Sequence, residues 1–436
     1  MTDDLRDVPS RRRFLKTTAA YAAGSFVGPG LAVAATGGGS KVSANERVNV
    51  AFVGVGNRGA DNLRSTIATG MCNVAALCDV DFEGRHALPA LAANQEADPP
   101  ARADKLEGVE ITPKAPRFTD FRQMFDKVGD QIDAVVITTP DHTHFPAAML
   151  AMSLGKHVYV EKPLAHTFGQ VERLMDLATR SGVVTQMGNQ GHSSANRTQF
   201  EAWTKSGVIK EVTRIVAHMN KGRRWHGWGD SVEAYPSEPL PPGMDWEGWT
   251  GPAPMNTFSE RLHPGNWRCW FDYGSGALGD WAPHMLDTCH RYLDLGLPET
   301  IAAERLEGRN PLVYPQATTL RFGFPERGGM PACDVMWHDG VKNRPDLGPG
   351  LTPEEMKKPG KAIYSKTRTF HGGSHSGVLR LVSDDENEAE SLPEYETRTP
   401  SHHKNFLMAC RGLAESNSPF SVGGPLTQVL NLGMIC

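Results

Sequence analysis

The chain lacks a CxxC pair and lacks an excess of charge of one sign. Beyond its N-terminal segment it also lacks any run long and apolar enough to cross a bilayer. The first absence argues against a zinc ribbon or a thioredoxin-type site. The seven cysteines, Cys72, Cys78, Cys269, Cys289, Cys333, Cys410 and Cys436, are odd in number and scattered, unlike a disulfide framework. They read as small, buried apolar side chains. With 45 basic and 50 acidic residues the net charge is −5. That gives no global electrostatic reason to expect nucleic acid as a partner. The third absence leaves no stable membrane anchor. By contrast, 45 glycines and 31 prolines point to long, shaped loops. At 436 residues the chain is expected to form two domains around a large core.

The N-terminus carries an address. Ser10, Arg11, Arg12, Phe14, Leu15 and Lys16 match the twin-arginine pattern S-R-R-x-F-L-K, and a weakly apolar Gly/Ala segment follows. Ala32-Val33-Ala34 supplies small residues suited to signal cleavage. Residues 1–35 are therefore expected to be a twin-arginine signal peptide, with the Tat export machinery as a partner and the periplasm or another exported location as the destination. The alternative is a disordered basic tail. Residues 36–46 read as a linker.

The next motif is a dinucleotide fingerprint. An apolar run, Val48 to Val53, leads into Gly54-Val55-Gly56-Asn57-Arg58-Gly59, and a segment of helical character follows. Gly54 permits a tight turn, Gly56 lets the backbone approach a pyrophosphate, and Gly59 allows close helix–strand packing. The free N–H groups of the helix start suit the phosphates. A second apolar strand ends at Asp79, where an acidic residue is placed to bond the adenosine ribose. Asp79 would repel a 2′-phosphate, so NAD is favoured over NADP, although Arg58 could compensate.

Strand-like and helix-like segments then alternate: "FTDFRQMFDKVGDQ", "IDAVVITTP", "DHTHFPAAMLAMSLG" and "KHVYVEKPLA". Such alternation predicts a doubly wound parallel sheet. Thr139, Pro140, His142 and His144 lie just past a strand's C-terminal end, where ligands bind in such sheets. For the two histidines a capping or packing role is the alternative.

Farther on, "GALGDWAPHMLDTCH" sets Asp280, His284 and Asp287 at spacings of four and three, which on a helix form one stripe. Three readings are open: a helix cap, a metal site, or a catalytic group. As an N-cap, Asp280 would find no N–H at Pro283. A metal site lacks an evident set of further ligands, so no metal is expected.

Taken together, "VAFVGVGNRG", "DAVVITTPDHTHFPAAMLAMSLGKHVYVEKPLA" and "GALGDWAPHMLD" resemble the Gfo/Idh/MocA oxidoreductase family over roughly residues 46 to 300. The resemblance implies an α/β protein: a Rossmann domain, taken as residues 47–165, and a C-terminal α+β domain, residues 166–436, with a large open, mostly antiparallel sheet. It implies a homo-oligomer. It places Lys162, between Glu161 and Pro163, at the substrate and the nicotinamide, and makes the Lys-Pro bond often cis. It carries the family's D-x-x-x-H pair onto Asp280 and His284. The family's Asn-x-Arg-Phe loop departs here: Asn189 is kept, but Gly191-His192 replaces Arg-Phe.

The expected chemistry follows. Oxidising a secondary alcohol needs a base, a cationic donor for the developing alkoxide, and a nicotinamide within hydride range. His284 suits the base, Lys162 the donor, and Asp280 an orienting carboxylate. The cofactor contacts expected are Gly54, Gly56, Asn57, Arg58, Gly59, Asp79, Thr139, Pro140, His144, Glu161 and Lys162. The substrate contacts expected are Asn189, His192, Asp287 and Trp270. Seven of the nine tryptophans lie between Trp225 and Trp281, and flat aromatic faces suit sugar rings. For any single one, core packing is the alternative. Arg223, Arg224 and Arg268 either meet an acidic sugar or are solvated. The final run "PLTQVLNLGMIC" has no polar tail, so the sequence is either truncated or packs this helix on the first domain. The expected activity is an NAD(P)-dependent dehydrogenation of a ring hydroxyl in a sugar, cyclitol or derivative. Its rivals are a redox-assisted glycosidase or lyase using NAD, and a non-catalytic sugar-binding protein.

Overall fold

The computed structural model describes residues 46–84, 114–221, 232–348, 350–375, 377–383 and 391–436. The twin-arginine segment, linker residues 36–45, Arg223, Arg224, Trp225 and Trp228 lie outside the described residues.

The first sheet is built from β1 (Val48–Val53), β2 (Cys72–Cys78), β3 (Arg117–Phe118), β4 (Ala134–Ile137), β5 (His157–Glu161) and β6 (Thr185–Gly188). Their order is β3-β2-β1-β4-β5-β6, and every pair is parallel. The strings VNVAFV, apolar apart from Asn49, and AVVI are buried almost throughout, as expected of strands covered on both faces. The covering helices are α1 (Arg58–Ile67), α2 (Phe121–Val128), α3 (Asp141–Ser153) and α4 (Phe168–Ser181). Because β1 lies between β2 and β4, the order reverses there, and a crevice opens at the strands' C-terminal ends.

The sequence reading closed the first domain at residue 165, but the sheet takes its sixth strand from Thr185–Gly188. That strand is short and polar, which hid it. Its Gln186 is fully buried and donates from Nε2 to the His402 carbonyl at 2.8 Å.

Next come α5 (Ala195–Lys205), β7 (Val212–Met219), α6 (Trp246–Thr250), α7 (Gly276–Trp281) and α8 (Pro283–Tyr292). The second sheet adds β8 (Thr300–Glu307), β9 (Ala317–Phe324), β10 (Cys333–Asp339), β11 (Gly360–Ser365), β12 (Thr369–Gly373) and β13 (Leu379–Val382). Its order is β13-β12-β11-β7-β10-β9-β8, antiparallel except for the parallel β7–β10 pair. The burial of β10 alternates residue by residue, so one face meets the core.

Two helices close the chain, α9 (His402–Cys410) and α10 (Phe420–Ile435). Both return to the first sheet. Phe406 and Leu407 of α9 join the core beside β1 and Tyr159, and Phe420 of α10 joins the core beneath α3 and α4. Thr427 of α10 accepts the Leu164 N–H, and Asn431 donates to the His166 carbonyl at 3.0 Å. The final run thus lies between the two domains: Leu426, Val429 and Leu430 join the second-domain core, while Thr427 and Asn431 bond to the first.

Candidate active site

The strand ends, the glycine turn and the second domain enclose a cleft of about 1030 Å³. At its start, Gly54 has φ of +80°. A Cβ there would meet the Thr138 carbonyl oxygen at 2.6 Å, and one on Gly59 would meet the Gly54 carbonyl at 2.1 Å. Asp79 sits at the end of β2. Its Oδ2 accepts the Val55 N–H at 2.7 Å and the Gly56 N–H at 3.2 Å, and its Oδ1 accepts the Asp81 N–H. Burial outweighs these bonds and raises the Asp79 carboxyl above its ordinary range. Arg58 turns away from Asp79: its Nε lies 3.3 Å from Glu161 Oε1. The Glu161 oxygen also accepts from Asn62 (2.9 Å) and Gln190 (2.7 Å). The compensation that Arg58 could offer a 2′-phosphate is therefore already committed elsewhere.

The β5 end of the cleft holds a cluster of charged side chains. The Lys162–Pro163 bond is cis. Lys162 Nζ donates to the backbone oxygen and to Oδ1 of Asp280, each at 2.7 Å. Arg268 Nε reaches the same Oδ1 at 3.3 Å while its guanidinium lies over the Trp267 ring. Burial alone would raise the Asp280 carboxyl, but the Lys162 and Arg268 charges outweigh it and hold the group well below the usual carboxylate range. Asp280 lies inside α7, so it is not an N-cap. Pro283 starts a new helix, yet Ala282 between them keeps helical angles (φ −60°, ψ −33°). The four-residue spacing therefore still puts Asp280 and His284 on one face.

His284 faces the cleft, and its Nδ1 makes no hydrogen bond among the described residues. Burial, then the Lys162 ammonium, hold its imidazole well below the usual histidine range, so it is neutral at pH 7. His375 stacks on it with ring centroids 4.0 Å apart at 16°, and the His375 N–H donates to the His284 carbonyl. His375 was missed in the sequence. Its only local signal is a histidine among small residues in "GGSHSG", and no spacing links it to α8. Trp249, Trp267 and Trp281 line the cleft as well.

The other expected contacts sort by depth. Gly54, Gly56, Asn57, Arg58, Asp79, Thr139, Pro140, His144, Glu161 and Lys162 all line the cleft. Gly59 packs beneath the turn. His144 acts as a brace, its ring nitrogens 2.9 Å from the Pro163 and Thr139 carbonyls. His142 does not line the cleft; it lies between the Trp249 and Tyr273 carbonyls. The substrate contacts need correction: Asn189, His192, Asp287 and Trp270 are buried and none lines the cleft. Trp270 is core, its Nε1 donating to the Arg261 carbonyl. Arg291 donates to His192 Nε2 at 2.8 Å, so His192 presents Nδ1–H to Asp287 Oδ2 at 3.3 Å. Asp287 thus points away from the cleft: its side chain finds this donor instead of continuing the Asp280–His284 stripe.

Two family models match the chain in tandem. The NAD-binding Rossmann-fold model of the Gfo/Idh/MocA oxidoreductases covers residues 48–189, and the model of their C-terminal alpha/beta domain covers 196–302. The chain belongs to the Gfo/Idh/MocA family. Against the oxidoreductase YdgJ of Escherichia coli it is 25% identical over 312 residues, which cover 70% of this chain and 78% of that protein. A glycosyl hydrolase family 109 protein of Shewanella pealeana is 29% identical over 229 residues, 50% of this chain and 47% of the relative. The chain thus spans about half the length of that relative. The WlbA dehydrogenase of Chromobacterium violaceum, solved with NADH and UDP-GlcNAcA, shares the fold. Its TM-score is 0.57 at 15% identity, over 90% of this chain and 95% of that one.

The cleft of this Gfo/Idh/MocA oxidoreductase fits NAD. The turn at Gly54 and Gly59 leaves no room for side chains, and the α1 N-terminus opens behind it. The buried Thr139 hydroxyl, beside the turn, has no partner among the described residues, as expected of a group that meets a polar ligand. Gly54, Gly56, Asn57 and Asp79 would hold the dinucleotide.

Proposed function

We propose that this oxidoreductase moves a hydride between NAD and a carbon bearing a ring hydroxyl of a sugar, cyclitol or derivative. The observation that carries the reading is the Lys162–Asp280–His284 cluster, placed in the same cleft as the glycine turn. NAD, when bound, supplies the hydride acceptor; the chain supplies the rest. His284, which lines the cleft, takes the hydroxyl proton on its imidazole. Its depressed basicity keeps it neutral and ready at neutral pH. Lys162 stabilises the oxygen as negative charge builds on it, and Asp280 holds the ammonium in place through two 2.7 Å contacts. Trp249, Trp267 and Trp281 offer flat apolar faces to a ring. His192 and Asp287 brace α8 from behind. The test is NADH formation against a panel of sugars and cyclitols. Lys162→Ala and His284→Ala variants that still turn over would sink the catalytic assignment.

A second reading is favoured by the His284–His375 stack, which sets two imidazoles side by side. Oxidation at one ring carbon, elimination of the group on a neighbouring C–O bond as an alcohol, addition of water to the resulting double bond and re-reduction of the carbonyl would hydrolyse a glycoside with no net NADH. The glycosyl hydrolase relatives give this reading limited support, since only about half of their length is shared. Release of sugar from a glycoside without net NADH absorbance would decide for it.

For the cell, we propose export by the twin-arginine route, supported by the motif at Ser10–Lys16. An Arg11→Lys/Arg12→Lys variant should stay in the cytoplasmic fraction, whereas unchanged export would refute the address.

A further inference from the structure

The cleft is electrically two-sided. On the β5 side, Arg58, Lys162 and Arg268 are each bound to Glu161 or Asp280. The β2 side is lined by Asp79, Asp81, Asp120, Asp245 and Glu247, with Arg122 and His263 as the basic side chains among them. These carboxylates come from separate places. Asp79 ends β2, and Asp120 precedes α2. Asp245 and Glu247 belong to the second domain, on a strap fastened to the first by the Asp245 N–H donating to the Val80 carbonyl at 2.9 Å. The strap lies close: a Cβ on Gly248 would meet Val80 Cγ1 at 3.2 Å. The crowding of charge is felt at Cys78, whose thiol is pushed up by burial and then by Asp79, Asp120 and Asp245.

Arg122 is the guanidinium that lines this side of the cleft. It is already occupied. Its Nη2 lies 2.8 Å from Asp120 Oδ2, and its Nε lies 3.0 Å from both Asp120 oxygens. A phosphate entering here would have to displace a bidentate carboxylate and face the others at short range.

We propose that discrimination against NADP is enforced from both domains: Asp120 disarms Arg122, and Asp245 and Glu247 of the second-domain strap repel a 2′-phosphate together with Asp79. The proposal concerns only the cofactor, so it stands or falls whatever substrate the enzyme uses. It also makes Asp79 one contributor among several.

The readout is the ratio of dissociation constants for NADP+ and NAD+, from tryptophan fluorescence titration of the purified full-length protein without substrate. In the unmodified protein NAD+ should bind at least ~100-fold more tightly. Asp79→Ala alone should narrow the ratio only about tenfold. Asp120→Asn keeps an N-cap acceptor for Arg122 N but frees the guanidinium, and should also narrow it about tenfold. The Asp245→Asn/Glu247→Gln pair should do the same, and adding Arg122→Ala to Asp120→Asn should reverse that variant's gain. The proposal is overturned if Asp79→Ala alone equalises the two cofactors. It is equally overturned if Asp120→Asn and the strap pair both leave the ratio unchanged.

Discussion

At Lys162 the ammonium spends two of its donors on one residue, the backbone and side-chain oxygens of Asp280. The pair therefore behaves as a unit, and its electrostatics reach His284. Lys162→Ala should lower kcat by roughly 10²–10³-fold, with the loss falling on kcat more than on KM. The acid limb of kcat/KM follows from the same contacts. Burial and Lys162 lower the His284 pKa, so activity should persist well below pH 6.5 and fail only where His284 protonates. In Lys162→Ala that limb should move up towards the ordinary histidine value; a pH profile that does not move would contradict His284 as the base. Trp270 behaves in the opposite way. It is 0% exposed and carries no cleft surface, so Trp270→Ala should cost about 3–5 kcal/mol in urea denaturation without raising KM for the folded fraction.

Among the elements, the β1–turn–α1 unit depends on backbone touching backbone. The Gly59 position has a carbonyl oxygen 2.1 Å from where a Cβ would stand, and a carbonyl cannot rotate aside as a side chain can. Gly59→Ala should destabilise the protein by about 1–3 kcal/mol and abolish NAD binding, measured by thermal denaturation and fluorescence titration. An unchanged NAD affinity would show that the turn is more pliable than its packing indicates. The α7–α8 junction shows a different economy: Pro283 breaks the hydrogen-bond ladder, but Ala282 keeps helical angles, so the functional face survives the break.

For the whole molecule, two buried histidines of α9 bond to β6, α1 and the turn after β6. His402 lies 2.8 Å from the Met187 carbonyl and 2.6 Å from the Ser193 hydroxyl, and His403 lies 3.1 Å from the Asn62 carboxamide oxygen. Burial lowers them to about 4 and about 3. A base whose folded pKa is lowered binds fewer protons folded than unfolded in the window between its two values. Its contribution is therefore intact above pH 6.5 and lost as pH falls towards about 4 for His402 and about 3 for His403, on the order of 3 and 5 kcal/mol respectively at most. Unfolding free energies measured across that window should fall steeply, and His403→Gln should flatten the fall.

The sequence by itself determined β1, β2, β4 and β5 of the first sheet and the glycine turn between β1 and α1. A parallel strand is continuously apolar and a dinucleotide turn demands glycines at set places, so both are local patterns. The same holds for the Asp280–His284 spacing and the Glu161-Lys162-Pro163 stretch. Tertiary structure alone decided what faces what. β6 stayed hidden because its buried polar group is satisfied by a helix over two hundred residues later in the chain. His192, Asp287 and Trp270 withdrew into the core because Arg291, Arg261 and one another's neighbours offered partners there. His375 and the carboxylates of the strap entered the cleft from segments with no periodic signal. Contact across such distances in the chain depends on how two domains pack, and a local pattern of residues carries no record of it.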